Sequence, residues 1–156
     1  LQSKSLDVGR QSQEKITTDI EVVQVYAADT SDSVINGSTD NLTMVVRLGS
    51  GSSPVKLTDL LIKYDTAGGS QTVTYGNGTA TETTYNTNYI VNGTNNQQGY
   101  LVPGDLASFK FTVASGTDVA ESESTTLRLV AKNGAVKPVD ITTPSAMVEK
   151  TTYLYP

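Results

Sequence analysis

Apolar and polar residues alternate with a period of two over most of the chain, the signature of strands with one buried face. The two cleanest runs set Leu42, Met44, Val46 and Leu48 against Thr43, Val45 and Arg47, and Ala107, Phe109, Phe111 and Val113 against Ser108, Lys110 and Thr112. Ile20 and Val22, then after a gap Val25 and Tyr26, predict a first strand. Leu57–Tyr64 predicts another, with Leu60 and Ile62 on one face and Leu61 and Lys63 on the other. Shorter strands are expected over Thr72–Tyr75, Thr83–Val91, at Leu101-Val102, and over Thr125–Ala131, Val139–Thr142 and Met147–Tyr155. Turn signals part them: Gly49 to Pro54, Gly68-Gly69, Gly76-Asn77-Gly78, Asn92-Gly93, Pro103-Gly104-Asp105 and Lys132-Asn133-Gly134. Before Ile20 the pattern fails, because Leu1, Leu6, Val8 and Ile16 make no helical stripe and Gly9 weakens any helix. The prediction is an all-β fold, an antiparallel β-sandwich or Greek-key barrel of about eight or nine strands with a short N-terminal helical stub. Residues 1–19 read as the remnant of a helix or linker, and 20–156 as a single β domain.

Composition narrows the chemistry. The chain has 156 residues, one domain's worth, with no Cys and no His. Disulfides, thiolate catalysis, zinc sites built on sulfur and every imidazole-based triad are therefore excluded. Eleven basic against sixteen acidic residues leave a net charge of −5, which argues against nucleic acid. Ser and Thr supply 38 residues, a hydroxyl-rich makeup common in extracellular β proteins. No run reaches the ~18 apolar residues of a membrane helix, so no membrane contact is expected of this fragment. The chain opens on Leu1 without a signal peptide, which suggests that an upstream segment has been removed.

Four Asn-X-Ser/Thr triplets are candidate N-glycosylation sites: Asn36, Asn41, Asn77 and Asn92. Chance alone would give about three in so hydroxyl-rich a sequence. Three of the four contain Asn-Gly and so belong to turns, whereas Asn41 opens a strand and is the least accessible. The loop from Asp29 to Asn41 is the most acidic polar stretch between strands, and Asp29, Asp32 and Asp40 are candidate ligands for a structural divalent cation, Ca or Mg. A solvated turn explains the same residues, and Asp59, Asp65 and Asp105 are other carboxylates that could converge. Glycoside hydrolysis needs a carboxyl pair, but Glu121 and Glu123 sit in a loop with no apolar neighbour to tune them. No catalytic residue is expected, and no enzyme.

Four segments resemble the archaellin family, the filament subunits of the archaeal flagellum. Leu1-Gln2-Ser3-Lys4-Ser5 through Gly9-Arg10-Gln11 is similar to the segment that follows the family's long apolar helix. Leu42–Leu48 with Gly49-Ser50 and Pro54-Val55-Lys56-Leu57 resembles its strand-turn-strand, and Leu101-Val102-Pro103-Gly104-Asp105 its Pro-Gly-acid turn. Thr143-Pro144-Ser145 to Tyr153-Leu154-Tyr155-Pro156 resembles its C-terminus. Lys56 departs from the family, which often has an acidic residue there.

The resemblance implies a two-part subunit, in which an N-terminal apolar helix packs with copies of itself in the filament core and a β domain forms the sheath. The helix would be exported after trimming by a type IV prepilin-like peptidase, and it could be buried only against its neighbours. On this reading the chain is the outer domain alone, extracellular, a non-enzymatic self-partner in a homopolymeric or mixed filament, and a monomer when isolated. The resemblance also implies N-glycosylation and a bound metal ion in the outer domain. The competing expectation is an extracellular carbohydrate-binding or adhesive domain, which would gather Tyr64, Tyr75, Tyr85, Tyr89 and Tyr100 on one solvent-facing side.

Overall fold

A computed structural model of the protein describes residues 19–28, 33–37, 39–49, 51–76, 78, 80–132 and 136–155. The N-terminal stub expected over 1–19 thus falls, but for Asp19, outside the described residues. Thirteen strands are described: β1 Ile20–Ala28, β2 Val34–Ile35, β3 Asn41–Leu48, β4 Val55–Lys56, β5 Leu60–Thr66, β6 Gly69–Tyr75, β7 Thr84–Val91, β8 Tyr100–Leu101, β9 Leu106–Thr112, β10 Val119–Ala120, β11 Ser124–Ala131, β12 Val136–Thr142 and β13 Thr151–Tyr155. Nine of them form one sheet in the order β12-β11-β5-β6-β7-β9-β3-β1-β13. Its edge strands β12 and β13 come back into contact, so the sheet curls into a nearly closed barrel.

The alternating runs become the barrel wall, although β3 is buried on both faces, with Thr43 and Val45 covered as well as the core-facing residues. Ala107, Phe109 and Phe111 of β9, and Val113 just beyond it, are fully buried, as are Leu42, Met44 and Val46 of β3 beside them. Aromatic rings fill the middle: Tyr85 lies 4.9 Å from Phe109 and Tyr64 meets Phe111 edge-on at 6.0 Å. The gap in the β1 pattern is a β-bulge. Register against β3 slips between Val22 and Gln24, so burial passes from Ile20 and Val22 to Val25 and Ala27. Tyr26 is thereby left on the outer face, 5.7 Å from Tyr153 of β13.

Several details differ from the sequence expectation, the last strand among them, since it begins at Thr151 and not at Met147. Leu57–Asp59 is a 3-10 turn, and the strand begins only at Leu60. The Tyr85 hydroxyl explains this, since it reaches the carbonyls of both Leu57 (3.0 Å) and Leu60 (2.8 Å). The sheet is antiparallel except where β6 and β7 run parallel over two residues, Thr74 against Thr84 and Tyr75 against Tyr85. Two short ladders are not expected as pairings, although β8 falls on the strand expected at Leu101-Val102. β2 with β10 closes the barrel end where β3 starts, and β4 with β8 closes the end where β3 finishes. Ile35, Val119 and Leu101 in these ladders are fully buried, so the ladders act as lids on the core.

Candidate functional site

The described residues begin at the end closed by β4 and β8, called here the near end. Asp19 is fixed there: its carbonyl accepts the Gly49 N–H (2.7 Å) and its N–H donates to Ser52 Oγ (3.2 Å). Beside it an open depression of about 520 Å³ is lined by Glu21, Arg47, Leu48, Gly49, Val91, Gly104, Asp105 and Leu106. The Arg47–Glu21 ion pair on its rim (2.7 Å) is solvent-exposed and adds little stability. Of the two carboxyl residues in this lining, Glu21 is tied to Arg47 and Asp105 to the loop above.

Asp105 organises the loop above it. Pro103 and Gly104 form the corner of a turn closed by the Asp105 N–H on the Val102 carbonyl (3.1 Å), with Gly104 at φ +94°. The buried Asp105 carboxylate then accepts the N–H groups of Gly93 (2.6 Å) and Val102 (3.1 Å) and the Asn96 side-chain amide (3.1 Å). The Pro-Gly-acid motif is thus a clasp for residues 93–105, with the Asp105 carboxylate taking three donors.

Asp40 and Asp118 do the same work at the far end. Buried Asp40 accepts the Asn36 N–H (2.8 Å) and the Thr39 hydroxyl (3.2 Å). Its carboxylate is thus committed to the 36–40 turn. Asp29 and Asp32 lie outside the described residues, and among the described residues no three acidic side chains gather to hold a metal ion. Exposed Asp118 accepts the Gly37 N–H at 2.5 Å. Glu121 and Glu123 are turn acceptors too, taking the N–H groups of Met147 (2.8 Å) and Ala120 (3.3 Å). Asp59 lies in the 3-10 turn, and Asp65 pairs with Arg128. The hydroxyl of Ser70 and the Arg128 guanidinium hold the Asp65 carboxyl below the usual range.

Between β6 and β9 the wall would be open, because β7 joins β6 only at its first two residues. Gln71 bridges the breach. Its amide donates to the carbonyls of Glu82 (2.8 Å) and Thr112 (2.7 Å), and its oxygen accepts the Ala114 N–H (2.9 Å). Sequence reasoning singles out neither Gln71 nor Asp118. The one signal for Gln71 is a polar residue in phase with buried Val73, and Asp118 carries no signal at all.

Of the glycosylation candidates, Asn92 is exposed in the loop after β7 and Asn36 is half-buried in the far-end turn. Asn41 stands in β3 with its side-chain oxygen accepting the Thr112 hydroxyl (3.1 Å), and Thr43 of its triplet is buried. Asn77 lies outside the described residues. The tyrosines do not form a binding face. Tyr64 and Tyr85 are core residues whose phenols burial pushes upward and keeps neutral, and Tyr75 and Tyr89 pack against that core. Tyr64 Oη and Thr125 Oγ1 are buried neighbours in that core. The carbohydrate-binding expectation therefore finds no support.

What remains is a hydroxyl-rich barrel with clasped loops at both ends. The sequence matches the family described as archaeal-type flagellin over residues 1–141. It is 34% identical to Flagellin B1 of Thermoplasma volcanium across 62% of this chain, which spans 42% of that protein. It is 25% identical to Flagellin A1 of Haloferax volcanii across 96% of this chain and 78% of that protein. In fold it resembles the crystal structure of archaeal flagellin FlaB1 from Methanocaldococcus jannaschii, with TM-score 0.74 and 16% identity over 88% of this chain and 97% of the other. It also resembles the archaeal flagellum of Methanospirillum hungatei strain JF1, with TM-score 0.67 and 16% identity over 99% of this chain and 81% of the other. With the family match running unbroken from the first residue into the last third of the barrel, the chain belongs to the archaeal-type flagellin family.

Proposed function

We propose that this chain is the sheath-forming outer domain of a subunit of the archaeal motility filament, extracellular and without enzymatic activity. The family match over residues 1–141 carries the reading. The placement of Asp19 supports it: a preceding helix would join the barrel at the near end and leave the far end and the outer wall for solvent or for neighbouring subunits. The outer wall is dominated by Thr, Ser, Lys and Asp on β5, β6, β11 and β12, with large apolar side chains such as Val136 scattered. Contacts on such a surface are polar and modest, so the strength of assembly falls to the apolar helix. The test is sedimentation of this fragment and of a longer version that includes its natural upstream segment. The fragment alone is expected to stay monomeric at micromolar concentration and the longer version to polymerise. Ordered polymers of the fragment would overturn the division of labour.

Two narrower readings accompany it. Asn36, Asn77 and Asn92 carry glycans in the native filament, a reading supported for Asn36 and Asn92 by their position in loops at the two barrel ends, and finding every triplet bare in native peptides would remove it. A divalent cation stiffens the loop at 29–40, supported by its acidic sequence, and a melting temperature indifferent to chelator and to added calcium would remove that.

A further inference from the structure

Asn-Gly is the dipeptide most prone to spontaneous deamidation, because glycine leaves its own nitrogen free to reach the asparagine side chain. The sequence has four such pairs, and two lie wholly within the described residues, Asn36-Gly37 and Asn92-Gly93. At both, the glycine N–H donates to the carboxylate of a distant loop: Gly37 to Asp118 Oδ1 at 2.5 Å, across 81 positions, and Gly93 to Asp105 Oδ1 at 2.6 Å, across 12. At both, packing demands glycine. A Cβ on Gly37 would lie 2.4 Å from the Ala114 carbonyl oxygen, and one on Gly93 would lie 2.8 Å from that of Pro103. Close backbone contact thus fixes glycine after an asparagine at each barrel end, and a carboxylate sits on the reactive nitrogen each time.

We propose that Asp118 and Asp105 protect Asn36 and Asn92 from succinimide formation. In that reaction the glycine nitrogen attacks the asparagine Cγ. A new N–Cγ bond forms, the bond from Cγ to the amide Nδ2 breaks, and ammonia leaves with the proton that the glycine nitrogen gave up. Water then opens the ring to aspartate or isoaspartate. The step requires the N–H to lose its proton and the nitrogen to swing toward Cγ. A carboxylate holding that N–H opposes both, since negative charge would build beside an existing negative charge and a charge-assisted bond would have to break. The protection preserves the asparagine side chain, and with it the acceptor nitrogen of each triplet.

The test uses Asp118→Ala, because Asp118 is exposed and takes no part in the core, whereas Asp105 holds two further donors. Wild-type and variant proteins, both made without glycans, are incubated at mildly alkaline pH, and deamidation is followed by peptide mass spectrometry at Asn36 and Asn92. Loss of a charge-assisted hydrogen bond is expected to speed Asn36 about tenfold or more while Asn92 keeps its wild-type rate. An unchanged rate at Asn36 would overturn the proposal. So would a slower one, which would make Asp118 a general base that promotes the attack. Equal acceleration at Asn92 would also overturn it, because that is the mark of a generally loosened fold, and a melting curve of the variant reads that loosening independently.

Discussion

Replacing Gln71 by Met tests whether one buried amide closes the barrel wall. The side chains have similar volume, so packing changes little, but three hydrogen bonds vanish. The Ala114 N–H loses its acceptor, and the carbonyls of Glu82 and Thr112 lose a donor, all in a part of the wall with no strand to replace it. An unsatisfied buried group costs ~1–3 kcal/mol, and carbonyls tolerate neglect better than N–H groups, so the sum is about 3 kcal/mol. That is a large share of a total stability of ~5–15 kcal/mol. For a domain of this size each kcal/mol moves the melting temperature ~2–4 °C, so a fall of about 6–12 °C is expected. Thermal unfolding followed by circular dichroism measures it, and amide exchange at Ala114 should accelerate along with it. A melting temperature within about 2 °C of wild type would mean that water or backbone relaxation heals the breach, and the bridging role would fail.

Three further outcomes follow from the geometry. Gly37→Ala places a methyl 2.4 Å from the Ala114 carbonyl oxygen and should destabilise by about 1–3 kcal/mol in urea titration, as overpacking does. Tyr85→Phe removes the hydroxyl shared by the Leu57 and Leu60 carbonyls and should cost about 1–2 kcal/mol, and amide exchange in the 3-10 turn should quicken with it. Asp65 has a carboxyl held below its usual value of 3.8, so its folded form is favoured above that pH, and the stabilisation disappears as pH falls through the lowered value. Asp65→Asn should therefore flatten the acid side of a plot of melting temperature against pH, and an unchanged acid limb would contradict the assignment.

The strands whose alternation spans six or more residues, β3 and β9 above all, are legible in the sequence from their apolar core face, although in β3 Thr43 and Val45 on the opposite face are buried as well. The gap between Val22 and Val25 is legible as a gap, and the bulge is its physical cause. Strand order is not legible, since a parallel contact of two residues such as β6 with β7 leaves the same alternation as an antiparallel one. The lids β2–β10 and β4–β8 are two residues long, and of their four strands only β8 leaves a trace in the sequence, at Leu101. The loop clasps divide the same way. Pro103-Gly104-Asp105 announces a turn, yet that its carboxylate reaches back to Gly93 depends on a loop with no local signal. Gln71 and Asp118 act across 43 and 81 positions, so their partners exist only once the barrel has closed.

Helical reconstruction of motility filaments sheared from the native organism tests the central claim most directly. The account predicts nine-stranded barrels on the filament surface that fit this sequence, each joined through Asp19 at its near end to a helix running into the core. Filaments whose outer density fits another sequence, or barrels attached through the far end, would contradict it.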